Sequence, residues 1–143
     1  MSMINEKLNK NLIDEINSIQ ENIEDMKAIT LYEDATGTKN NIVLTDTIAN
    51  YKYIEVFVKN NSNNFLHAGQ KFYTNNSSTA NILLSLVGNG NGAIDLKGLR
   101  CIIDGVNMTM NYFYKAIIVS GQTPSGGTGT NSDLFIYKVV GYK

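Results

Sequence analysis

The feature that most limits what this chain can fold into lies in its first 27 residues. Between Ile4 and Lys27 there is no glycine or proline, and Leu12, Ile16, Ile19, Ile23 and Met26 follow one another at spacings of 4, 3, 4 and 3. Alternating steps of three and four draw an apolar heptad stripe, with Ile16 and Ile23 at a and Leu12, Ile19 and Met26 at d. Glu15, Asn17, Glu21, Asn22, Glu24 and Asp25 fill the faces between. Upstream, Ile4, Leu8 and Leu12 step by four, so the register drifts there. If the register held, Asn9 would sit at an a position, where a buried Asn fixes strand number and alignment. A helix of this length, roughly 36 Å at about 1.5 Å per residue, is marginal alone in water. It needs copies of itself or the face of its own domain. Isoleucine at both a and d favours three or more strands. The expectation is a parallel homotrimer held by Leu12, Ile16, Ile19, Ile23 and Met26, with a helix folded back on its own chain as the alternative.

At Ala28 the periodicity changes from helical to alternating, so residues 1–28 read as a trimerisation helix and 29–143 as one all-β head. Strands are expected at Ile29–Tyr32, Asn41–Thr45 and Tyr53–Lys59. In the last of these Ile54, Val56 and Val58 alternate with Tyr53, Glu55 and Phe57. Glu33 to Asn40, with Asp34 and Gly37, reads as a turn, and Phe65 to Tyr73 as a strand broken at Gly69. Ala80 to Val87 is almost continuously apolar, which suits a strand covered on both faces. The glycine-rich stretch from Gly88 to Gly92 reads as a flexible turn. Asp104-Gly105 signals a hairpin between Leu99–Ile103 and Val106–Val119. Ser120 to Asp133 is the longest loop, and Leu134 to Tyr142 the closing strand. The resulting fold class is mostly β: an N-terminal coiled-coil helix followed by an antiparallel sandwich or jelly-roll-like domain.

Composition removes several functions. Formal net charge is -1, which provides no basic field for nucleic acid. No run approaches the ~20 apolar residues that span a bilayer, and no signal-peptide core opens the chain. We therefore expect neither nucleic-acid binding nor membrane insertion, and synthesis in the cytoplasm. Charged residues make up 17%, and Asn, Ser, Thr and Gly supply the missing polarity, as short strands with tight turns require. One cysteine, Cys101, allows no intrachain disulfide and reads as a buried apolar filler. One histidine, His67, cannot build a multi-ligand metal site within one chain and reads as a half-buried strand residue. The acidic residues after the helix fall mostly in turns, and no pair stands out as a glycosidase couple. No catalytic residue, metal or cofactor is expected, and the chain does not read as an enzyme.

Three stretches resemble the C-terminal receptor-binding heads of tail fibres from phages of Gram-positive bacteria and from related phage-tail-like bacteriocins. These are Ile29-Thr30-Leu31-Tyr32-Glu33-Asp34 directly after the heptads, the passage from Asn41 to Val56 with Thr47-Ile48-Ala49-Asn50-Tyr51 at its turn, and the ending Phe135-Ile136-Tyr137-Lys138-Val139-Val140-Gly141-Tyr142-Lys143. Together they cover about a third of the chain. The resemblance does not extend to the long shaft of such fibres, and the family fixes no binding residues that transfer. The resemblance implies a place at the tail tip of a virion or phage-like particle. The partners it implies are further copies of the chain, other tail proteins, and a host cell-surface glycan or cell-wall polymer. A purely structural trimeric tail cap with no ligand is the alternative, with a glycan-active enzyme ranked below it. Sugars are held by an aromatic face with amides and hydroxyls beside it, and Tyr73, Asn75 and Asn76 with Gln122 and Thr123 supply those groups. Tyr112 and Tyr114, alternating with Phe113, are expected to face outward or line a subunit interface.

Overall fold

The computed structural model describes residues 2–38, 40–60, 65–66, 69–90, 93–123, 125–129 and 134–143. Helix α1 runs from Met3 to Asp25 and begins after Ser2, whose side chain makes no capping bond. Every described side chain along it is solvent-exposed, including the stripe: Ile16 is 46% exposed and Met26 71%. Ten strands follow: β1 Ala28–Thr38, β2 Ile42–Val43, β3 Tyr53–Asn60, β4 Phe65–Leu66, β5 Gln70–Tyr73, β6 Thr79–Gly90, β7 Ala93–Asp104, β8 Asn107–Val119, β9 Ser125–Gly129 and β10 Leu134–Tyr142.

The strands form two antiparallel sheets. The first runs β1-β10-β3, with β4 and β5 both paired to β3; the second runs β2-β8-β7-β6, with β9 paired to β8. Alternation sets what each sheet buries. Ile54, Val56 and Val58 of β3 point inward with Leu134, Ile136 and Val139 of β10. They meet Ile82, Leu84, Leu99, Cys101, Ile103 and Met108 from the second sheet in one core. Cys101 is fully buried, and burial pushes its thiol up to about 12.

Three expectations are corrected by pairing. Glu33 to Thr38 does not leave the sheet as a turn: β1 pairs Glu33 with Lys138 and then Thr38 with Ile136, so the intervening residues bulge. The Asp34 carboxylate holds the bulge by accepting from the Thr36 amide at 2.9 Å and hydroxyl at 2.7 Å. Gly37 there takes φ 75°. Inside the expected long loop, Ser125–Gly129 forms β9 beside Phe113–Ile117 of β8. The glycine-rich stretch after Val87 also continues the ladder as far as Gly90 opposite Ala93; residues 91–92 lie outside the described set.

The sheets are joined along one edge by a side chain. Gln70 of β5 donates Nε2–H to the Ser85 carbonyl at 3.0 Å and accepts the Ser85 N–H at 2.9 Å. One amide side chain there serves both backbone groups of β6, as a neighbouring strand would.

Between β2 and β3, a short 3-10 turn Ile48–Asn50 delivers buried Tyr51 onto the end of β10. A Cβ at Gly141 would lie 2.5 Å from Cδ1 of the Tyr51 ring, so only glycine lets the ring lie on the backbone. Replacing Gly141 with Ala should destabilise the head by about 1–3 kcal/mol through this overlap. Denaturant unfolding monitored by circular dichroism would measure it, and an unchanged midpoint would refute the packing.

Candidate functional site

Aromatic rings cross the outer face of the first sheet in a single row. Pairing sets Tyr142 of β10 opposite Tyr53 of β3, and Tyr53 opposite Tyr73 of β5. Tyr53 stacks on Tyr142 with centroids 4.6 Å apart and planes 13° apart, and tilts against Tyr73 at 5.9 Å. The Lys71 ammonium sits 3.6 Å from the Tyr53 ring centre. The Tyr142 hydroxyl donates to Glu55 at 3.0 Å; burial first, and then this carboxylate, raise its pKa. Tyr73 ends the row, 68% exposed, with the Lys71 ammonium 5.3 Å from its ring centre.

The turn after Tyr73 carries the amides. Asn75 and Asn76 both adopt left-handed backbone, φ 52° and 57°, a conformation asparagine tolerates better than most residues. Buried Thr74 anchors the turn. Its hydroxyl donates to the Tyr51 carbonyl, and its N–H donates to the Lys52 carbonyl at 3.1 Å. Asn76 then lines a shallow depression of about 430 Å³ with Asp46, Asn50, Lys52 and Lys143.

Asp46 organises the floor of this depression. Its carboxylate accepts from Asn50 Nδ2 at 2.9 Å, from the Thr47 N–H at 2.8 Å and from the Tyr51 hydroxyl at 3.0 Å. The Asn50 hydrogen bond is the main reason its pKa falls below the usual 3.8. Tyr51 moves the other way, pushed up to about 12 by burial and then by the Asp46 carboxylate.

The candidate residues named from sequence divide into two places. Tyr73, Asn75 and Asn76 come together at the end of the head next to α1, since Ala28 pairs with Tyr142 in the same row. Gln122 and Thr123 follow Val119, at the other end of β7 and β8. Asp104 lies eleven positions beyond Ala93 along β7, on the order of 35 Å of strand, so one sugar unit cannot touch both sets. Tyr53, Tyr142, Lys71 and Asn50 complete the first place and were not singled out in the sequence. The alternation of Tyr53 with inward Ile54 did place Tyr53 outward; its pairing with Tyr73 and Tyr142 had no local signal. Tyr114 lies on the outer face of the second sheet opposite Gly98, while the side chain of Tyr112 and all of His67 lie outside the described residues. Among the described residues no group of three His, Cys, Asp or Glu side chains could hold a metal.

In comparisons with known proteins, no family model and no curated protein sequence matches this chain.

Asp46 and Tyr51 predict opposite pH responses. A carboxylate whose pKa is lowered by folding stabilises fully above its unfolded value, and that contribution is lost as pH falls through the native value. The head should therefore lose stability as pH falls through and below 3.8, and Asp46→Asn should flatten part of that slope. For Tyr51, raised by folding, the contribution is full below 10 and lost as pH rises towards about 12. Unfolding midpoints across pH check both signs, and an acid limb that is identical in Asp46→Asn would exclude the Asp46 network as its source.

Proposed function

We propose that this chain is the receptor-binding tip of a phage or phage-tail-like fibre, attaching the particle to a host cell-surface carbohydrate or cell-wall polymer. The observation that carries the reading is the exposed heptad stripe of α1, joined to the β head by Met26 and Lys27 alone. A 23-residue helix with no apolar cover is marginal in water, and isoleucine-rich heptads are satisfied by further copies of the same helix. The proposed particle component is a parallel homotrimeric coiled coil carrying three β-sandwich heads.

The tyrosine row supports carbohydrate as the ligand. A sugar ring presents C–H groups on one face and hydroxyls around its edge. Tyr73 offers a largely exposed ring, and Asn75, Asn76 and the depression beside Asn50 offer amides to the edge. One such site binds weakly; three on a common stalk gain avidity through effective concentration, by roughly 10²–10⁴ on a surface bearing many copies of the ligand.

Two outcomes are expected. Light scattering of the full chain should give a mass of about three chains, and the double variant Ile16→Asp, Ile19→Asp should give one. Tyr73→Ala should weaken binding to host cells or to a positive glycan on an array by roughly tenfold per site without changing that mass. A trimer that binds no candidate cell and no glycan would favour the structural tail cap. A chain that stays monomeric at every concentration would remove the stalk.

A further inference from the structure

Lysines border the tyrosine row on both sides. Glu55 pairs with Lys71 two positions along from the Tyr53–Tyr73 pair, so Lys71 rises from the same outer face as the rings. Its ammonium lies 3.6 Å from the centre of the Tyr53 ring and 5.3 Å from that of Tyr73. On the other side, Ala28 pairs with Tyr142, and Tyr142 with Tyr53. The chain neighbours of these three residues are Lys27, Lys143 and Lys52, which therefore line up along the end of the sheet. Lys52 and Lys143 share the depression with Asn76. In a chain of formal net charge -1, cations are concentrated at this corner.

The carboxylates at the corner are engaged within the chain. Both oxygens of Asp46 accept hydrogen bonds, from the Thr47 N–H, from Asn50 Nδ2 and from the Tyr51 hydroxyl. Glu55 accepts from the Tyr142 hydroxyl at 3.0 Å, and Glu24 reaches Lys27 at 3.8 Å. Lys71 is held differently. A ring face fixes where an ammonium stands through its π electrons, and brings no negative charge to cancel the positive one. Tyr53 has one face on Tyr142 and the other beneath Lys71, so stacking on a ligand falls to Tyr73.

A sugar ring seated on Tyr73 thus has the Lys71 ammonium at one edge. Asn75, Asn76 and the depression with Lys52 and Lys143 lie beyond the other. An amino sugar would meet like charge there, which selects against it. Resting on the tyrosine row as the binding site, we infer that the carbohydrate held there is acidic, with a carboxylate or phosphate beside the ring that stacks on Tyr73, and that Lys71 sets this preference. The lysine ammonium is a compact point charge that suits either anion, so a uronate ring and a phosphodiester between units are the two sources to separate.

Binding of the full chain to immobilised polygalacturonate, poly(glycerol phosphate), neutral dextran and cationic chitosan tests this. At least one anionic polymer should bind, and dextran and chitosan should not. Polygalacturonate alone would identify a uronate, and poly(glycerol phosphate) alone a phosphodiester. Affinity should fall at least about tenfold as salt rises from roughly 50 to 500 mM. Lys71→Gln should lower it by about tenfold at an unchanged circular dichroism spectrum, and Lys71→Arg should retain it. Lys138→Gln, which removes a lysine paired with Glu33 on the same sheet, should change nothing. Equal losses in Lys71→Gln and Lys138→Gln would overturn the inference, since diffuse charge attraction would then explain the binding. Binding to dextran, chitosan or a neutral array glycan that Tyr73→Ala weakens and Lys71→Gln does not would overturn it and leave the carbohydrate site standing. Anionic binding that Tyr73→Ala leaves untouched would remove the site itself, and the inference with it.

Discussion

The first sheet depends on β10. This strand pairs with β1 on one side and β3 on the other, so the end of the chain is inserted between two strands from the start of the head. At its end Gly141 gives up a side chain so that Tyr51 can lie on the backbone, and the Tyr51 hydroxyl reaches Asp46. Lys52 N–H then donates to the Tyr142 carbonyl at 2.8 Å, and Thr74 ties the next strand to the same corner. The candidate binding surface is built on this corner: the row Tyr142, Tyr53, Tyr73 exists because β10, β3 and β5 are in register there. These pairings are remote in sequence, so the head must pay for long loop closures before they form, which makes for slow folding.

Much of this was legible in the chain itself. The helix, the strands at Tyr53, Ala80 and Leu134, and the Asp104-Gly105 hairpin were each marked by periodicity or by turn residues acting locally. The errors share one physical cause. Asp34 and Gly37 mark a change of backbone direction equally well whether it ends a strand or bulges one. Only the pairing of Glu33 and Thr38 with Lys138 and Ile136 decides between them. Ser125 to Gly129 carries no apolar alternation because β9 contributes backbone to β8 and little to the core. The candidate site was half legible for the same reason: outward Tyr53 follows from alternation, but which rings become neighbours is settled by register between distant strands.

Among the described residues two apolar surfaces are open, the α1 stripe and the outer face of the second sheet. They differ in kind. The stripe is narrow and periodic, the pattern of a seam between parallel helices. The sheet face is broad and hollow at Gly98. A polar, turn-rich chain that nevertheless places Leu83, Val87 and Ile94 outward on this sheet has kept the tyrosine row and its amides on the other.

The Gln70 bridge bears on what kind of assembly such a molecule can form. A bare strand edge invites another chain to hydrogen-bond alongside, and that process has no natural end; stacked copies add strand by strand into fibrils. At Ser85 the β6 backbone has already spent its donor and acceptor on one glutamine amide. Growth by strand addition is obstructed at that point, while contact through side chains is left open. Side-chain contact between rigid faces can close on itself after a fixed number of subunits. A single well-placed amide thus blunts the β6 edge against strand-by-strand growth.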